Sequence, residues 1–142
     1  MTDLRRQVAR ELVGYQSGRV RHPDLDDIAL FVELMIEWTP EEVDESAALL
    51  LFLVQSIPAR DAVLLQWATD LTMGDKLWQS TVDDRVVSDL KVGIGPRPDP
   101  SRLDRGIAVV QRLLWLAPPH LAQAPHFMLA WLRWARSDWP SS

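Results

Sequence analysis

Apolar residues recur along this chain at helical spacing, and nowhere in the two-residue alternation of a half-buried strand. Leu4, Val8, Leu12 and Tyr15, with Ala9 and Val13 beside them, form the stripe of a first amphipathic helix that stops near Gly18. A second helix is predicted to open at His22-Pro23-Asp24, with Asp24 and Asp27 at its positive end and Leu25, Ile28, Val32 and Met35 as its stripe. The clearest boundary is Thr39-Pro40-Glu41-Glu42: Thr39 caps, Pro40 takes the first helical position and Glu42 completes a capping box. The helix that follows, Val43 to about Gln55, is apolar nearly all round and is therefore expected at the centre.

Ser56-Ile57-Pro58 repeats the same start logic and leads through Ala59-Arg60-Asp61 into Val63, Leu64, Trp67 and Leu71, read as one helix. Beyond Thr72 the pattern weakens, and Ser80 and Asp83 are candidate caps of a short helix through Val86, Val87 and Leu90. Gly93-Ile94-Gly95-Pro96-Arg97-Pro98-Asp99-Pro100 cannot be helical, so residues 92–100 are the candidate for a linker or a mobile loop. Ser101 or Asp99 starts the next helix, on Leu103, Ile107, Val110 and Leu114, and Ala117-Pro118-Pro119 ends it. Pro125 sits in the first turn of a last helix crowded with Phe127, Met128, Leu129, Trp131, Leu132 and Trp134. The expectation is one all-α domain over 1–142, a compact bundle of six to seven helices with no sheet.

Composition narrows the setting. The 142 residues suit one domain that buries a core without staples, and no cysteine is present for a disulfide or thiolate site. The longest apolar run, Ala47–Val54, has eight residues, where a spanning helix needs about twenty. With no apolar leader after Met1, a cytoplasmic protein without a membrane anchor is expected. Residues 23–61 carry ten acids against Arg60 alone. That makes nucleic acid an improbable partner, although Arg5, Arg6, Arg10, Arg102, Arg105 and Arg112 would supply a basic face if the two ends of the chain met.

Two kinds of candidate chemistry follow. Glu33 and Glu37, four apart, and Glu42 and Glu45, three apart on the next helix, could bring two carboxylate pairs together for a divalent metal and a hydrolase. The competing reading is a solvated acidic face at a helix start. His120 and His126 lack the spacing of a zinc site, and Gly93-Ile94-Gly95 follows no strand, so no cofactor is expected. Arg60-Asp61 is read as structural, with Asp61 at free N–H groups of its first turn and Arg60 paired with the acidic segment.

Three stretches carry a resemblance to a known family: Ile57-Pro58-Ala59-Arg60-Asp61-Ala62-Val63-Leu64; Pro98-Asp99-Pro100-Ser101-Arg102-Leu103 with Leu113-Leu114-Trp115-Leu116-Ala117-Pro118; and Ala124 to Arg136. Over roughly 57–138 the chain resembles the mainly actinobacterial domain of unknown function 4192. The resemblance implies a helical fold and no particular activity. Members of that family usually carry a further domain before this region and more helices after the tryptophan-rich one. If those later helices cover Trp131 and Trp134 there, another chain is expected to cover them here. With Trp115, Phe127, Leu132 and Trp139 as further anchors and Arg133 and Arg136 at the rim, the expected function is a non-enzymatic interaction module, self-associating or binding a helical partner. The metal-dependent hydrolase is the first alternative and nucleic-acid binding the weaker one.

Overall fold

Backbone hydrogen bonds at the chain's turns are satisfied locally, which is why the helix starts lie where short-range chemistry puts them. A computed structural model describes residues 3–18 and 26–140. Among them are eight α-helices and no strand: α1 (Asp3–Gln16), α2 (Ile28–Met35), α3 (Pro40–Leu53), α4 (Ile57–Ala68), α5 (Leu71–Trp78), α6 (Asp84–Lys91), α7 (Pro100–Leu116) and α8 (Gln123–Asp138). The expected second-helix start at His22-Pro23-Asp24, and Leu25, lie outside the described residues.

The capping box forms as read: Thr39 N–H donates to Glu42 Oε1 at 3.2 Å and Glu42 N–H donates to Thr39 Oγ1 at 3.4 Å. Asp27, Asp70, Asp83 and Asp99 accept from first-turn N–H groups of α2, α5, α6 and α7. Ser56, expected to cap α4, makes no side-chain bond there. The bundle has eight helices rather than six to seven because the stripe running from Val63 to Leu71 is two helices. The first ends at Ala68, Thr69 leaves helical geometry at φ −124° and ψ −103°, and Asp70 starts the second through Met73 N–H at 2.8 Å. Two left-handed residues close α5 and α6. Ser80 (φ 57°) and Gly93 (φ 85°) each follow the C-cap, and the bonds Thr81 N to Lys76 O and Ile94 N to Asp89 O complete the double turn.

Helix α3 is buried along Ala47–Leu51, as its composition implies, and α4 is buried without a break from Ala62 to Ala68. The two together form the centre. Helix α1 lies on α3, where Tyr15 and Phe52 rings meet at 5.8 Å. Helices α7 and α8 form an antiparallel hairpin closed by Arg136 Nε to Asp104 Oδ1 at 2.9 Å. Among the described residues no helix is long and apolar enough to cross a membrane.

Two C-terminal tryptophans hydrogen-bond to the backbone at the start of the 92–100 segment. Trp131 Nε1 donates to Lys91 O at 3.1 Å, Trp139 Nε1 donates to Gly95 O at 3.2 Å, and Pro98 is buried. Gly93 packs so closely on Pro140 and Trp134 that a Cβ has no room.

One close approach inside the bundle yields a test. Gly74 on α5 sits against the Gln66 amide of α4, and a Cβ there would overlap Gln66 Cδ. Alanine in place of a helical glycine ordinarily stabilises by up to about 1 kcal/mol. Gln66 is fully buried and held by three hydrogen bonds, so it cannot yield. Gly74→Ala is therefore expected to destabilise by about 1–3 kcal/mol in urea unfolding. A variant as stable as the parent would show that Gln66 has freedom to move.

Candidate functional site

The four glutamates of the metal reading do not converge. Glu33 accepts from Arg102, with Nη1 to Oε2 at 2.6 Å and Nη2 to Oε1 at 2.9 Å, a bidentate pair between α2 and α7. Arg102 holds its carboxyl below the ordinary range, against the opposing effect of burial. Glu42 is occupied in its capping box, and Glu37 and Glu45 point to solvent. Among the described residues no three carboxylates or imidazoles lie close enough to hold a metal ion.

The Glu33–Arg102 pair belongs to a structural knot. Arg102 also donates to Gln66 O at 3.0 Å, which it shares with Thr69 N–H, and to Trp67 O at 3.2 Å, both at the end of α4. Gln66 reaches Ala29 O at 2.8 Å and accepts from Trp78 Nε1 at 3.0 Å, while Trp67 Nε1 donates to Val32 O at 2.9 Å. Every buried side-chain polar atom among the described residues has a partner. The knot fixes α2, α4, α5 and α7 relative to one another and leaves no group free for chemistry.

The tryptophan-rich end is also inwardly directed. Trp131, Trp134 and Trp139 pack on each other with ring centroids 5.8–6.3 Å apart. Trp139 is 6% exposed and Leu132 fully buried. Phe127, 42% exposed, carries the Arg60 guanidinium 3.8 Å above its ring. Arg60 therefore pairs with Asp61 (3.2 Å) rather than with the acidic segment, and Asp61 bridges to Lys91 at 2.8 Å rather than to first-turn N–H groups. Pro125 is buried, Arg133 lies exposed, and Arg136 is held by Asp104. Of the six cations of the basic-face reading, Arg5, Arg105 and Arg112 meet around Trp115, while Arg102 goes to Glu33 and Arg6 to Asp3; Arg112 is itself paired with Asp44.

One open concavity lies away from both. Between the end of α2, the start of α3 and the outer face of α7 runs a groove of about 680 Å³. Its floor is apolar, with Ile36, Val43 and Val109, and Trp38 and Trp115 stand at its sides. Trp38 is fixed edge-on to Phe31 at 6.3 Å. Trp115, 40% exposed, has the Arg5 and Arg112 guanidinium carbons 4.3 and 4.4 Å from its ring centroid. Arg5 Nε also donates to Trp115 O at 2.7 Å, and Arg112 forms a bidentate pair with Asp44 at 2.6 and 2.8 Å. That pairing raises the Arg112 pKa and fixes the charge at the groove wall.

No family model, curated protein or solved structure matches this chain. Its site is therefore assigned from geometry alone. Trp115 was identifiable from its place beside Gln111 on the less apolar side of α7. Trp38 carries no signal of its own in the sequence, and Arg105 stands there only as one cation of a possible basic face. A signal existed: Arg105, Ala108, Arg112 and Trp115 fall at i, i+3, i+7 and i+10, one helix stripe carrying two cations and an aromatic.

Proposed function

We propose that this protein is a non-enzymatic helical binding module whose contact surface is the Trp38–Trp115 groove. The observation that carries the reading is the groove itself: about 680 Å³, apolar at the floor, flanked by two indoles and lined by a few polar groups. Ligand sites have this size and make-up. The kinship with domain of unknown function 4192 and a cytoplasmic setting belong to the same proposal. The first rests on the order of the Arg60-Asp61, Asp99-Pro100 and tryptophan-rich segments, and the second on the absence of cysteine.

Self-association through α7 and α8 is the second reading. It is favoured by the exposure of Phe127 and of Val92, 57% exposed, around a hollow of about 200 Å³. The seven tryptophans distinguish the two readings. In heteronuclear NMR each indole N–H gives its own signal. A neutral aromatic probe, 2-naphthamide, is expected to shift the Trp38 and Trp115 signals saturably and leave buried Trp67 unmoved. Ala108→Phe, which fills the groove from an exposed position, is expected to abolish the shift. Shifts at Trp131, Trp134 and Trp139 that grow with protein concentration alone would instead identify the α7–α8 face as the contact surface.

A further inference from the structure

The groove's polar lining is unevenly engaged, and the unevenness has a chemical meaning. Arg105 lies at the groove wall on the exposed side of α7. Its Nε donates to Ser101 O at 3.3 Å, and among the described residues it makes no ion pair, which leaves both terminal nitrogens to donate. About two helical turns further on, Arg112 uses Nε and Nη2 on Asp44 and leaves Nη1 without an acceptor among the described residues. The Gln111 amide, also on the lining, is uncommitted and exposed. Across the groove Glu37 is the one lining carboxylate among the described residues, exposed and with no cation paired to it there.

Free guanidinium N–H groups beside an apolar, indole-walled trough favour one kind of occupant. Its flat hydrocarbon body lies on Val43 and Val109 between the tryptophans, and its negative group meets Arg105. A cation would find only Glu37, with Arg105 and Arg112 opposing it. A neutral molecule would gain less from the guanidinium donors, since an uncharged acceptor forms the weaker bond. Nucleic acid would need a chain of cations, and with Arg112 paired to Asp44 the lining offers one unpaired guanidinium, Arg105, among the described residues.

We infer that the groove takes a small organic anion with a flat apolar body, an aromatic or fused-ring carboxylate, anchored by Arg105 with Arg112 Nη1 beside it. The inference rests on the groove being the binding surface and adds the chemical class of what it binds.

The test compares 2-naphthoate with 2-naphthamide, nearly equal in shape and different in charge, by calorimetry and by the Trp38 and Trp115 indole signals. The carboxylate is expected to bind about tenfold more tightly than the amide. Arg105→Gln is expected to bring the carboxylate to the amide's affinity and leave the amide unchanged. Glu37→Gln, which removes the opposing charge, is expected to tighten the carboxylate a few-fold. Both positions are exposed and outside the core, and a thermal unfolding midpoint equal to the parent's verifies each fold. Equal affinities that ignore both substitutions, with the Trp38 and Trp115 shifts retained, would overturn the anion assignment and leave the groove standing. Absence of any saturable shift at those two indoles with either probe would overturn the groove, and the assignment with it.

Discussion

Arg102→Met is expected to lower the unfolding free energy by about 3–5 kcal/mol, read from urea titration. The methionine keeps much of the volume but removes the partner of a carboxylate that is only 12% exposed at its side chain. It also strips the Trp67 carbonyl of its side-chain donor at the end of α4 and leaves the Gln66 carbonyl with Thr69 N–H. The loss is large because Glu33 would remain charged and buried, which costs more than the pair itself contributes. A loss below about 1 kcal/mol would show that water reaches Glu33 and replaces the guanidinium.

The same pair gives the pH dependence its sign. The Arg102 hydrogen bonds, outweighing burial, hold the Glu33 carboxyl below its ordinary 4.5. A group lowered on folding binds its proton more readily in the unfolded chain. Its stabilisation is thus complete above about pH 4.5 and is lost as the pH falls through the lowered native value. Glu33→Gln is expected to flatten this acid limb while the rest of the curve keeps its shape.

Trp67→Ala is expected to cost a further 3–5 kcal/mol or so in the same assay, the range for emptying a fully buried aromatic site. The indole fills the space beneath Gly106, whose absent side chain leaves 3.0 Å between a built Cβ and Trp67 Cε3. Trp67→Phe separates the contributions, since it retains most of the ring but leaves the Val32 carbonyl without its 2.9 Å donor. About 1–3 kcal/mol is expected from that orphaned acceptor and the smaller ring. Because Arg102 and Trp67 share a contact, the double variant Arg102→Met with Trp67→Phe should lose less than the sum of the two. Strict additivity would mean that the knot does not act as one unit.

Helix starts were legible wherever the deciding bond spans two or three residues. Thr39 and Glu42 satisfy each other, and Asp99 with Pro100 sets the start of α7, whatever the rest of the chain does. The break at Thr69 was not legible, because Val63, Leu64, Trp67 and Leu71 keep helical spacing across it. Only the Asp70 cap and the Gly74–Gln66 contact separate α4 from α5. The tryptophan-rich end read as an excess of apolar surface because its cover lies in the 91–95 segment, some forty residues earlier.

What the sequence determined by itself is the all-α class, most of the helix starts and the apolar character of the α3 centre. Capping, proline geometry and apolar periodicity act over a few residues, so they are written in order along the chain. The tertiary structure decided which polar residues are free. Glu33 looked available beside Glu37 until folding brought Arg102 to it from 69 residues away. Arg105, four residues from Ser101 on the same helix, kept its charge unpaired. The physical reason is that an ion pair depends on distance in space, and local patterning carries no record of which charge the fold delivers.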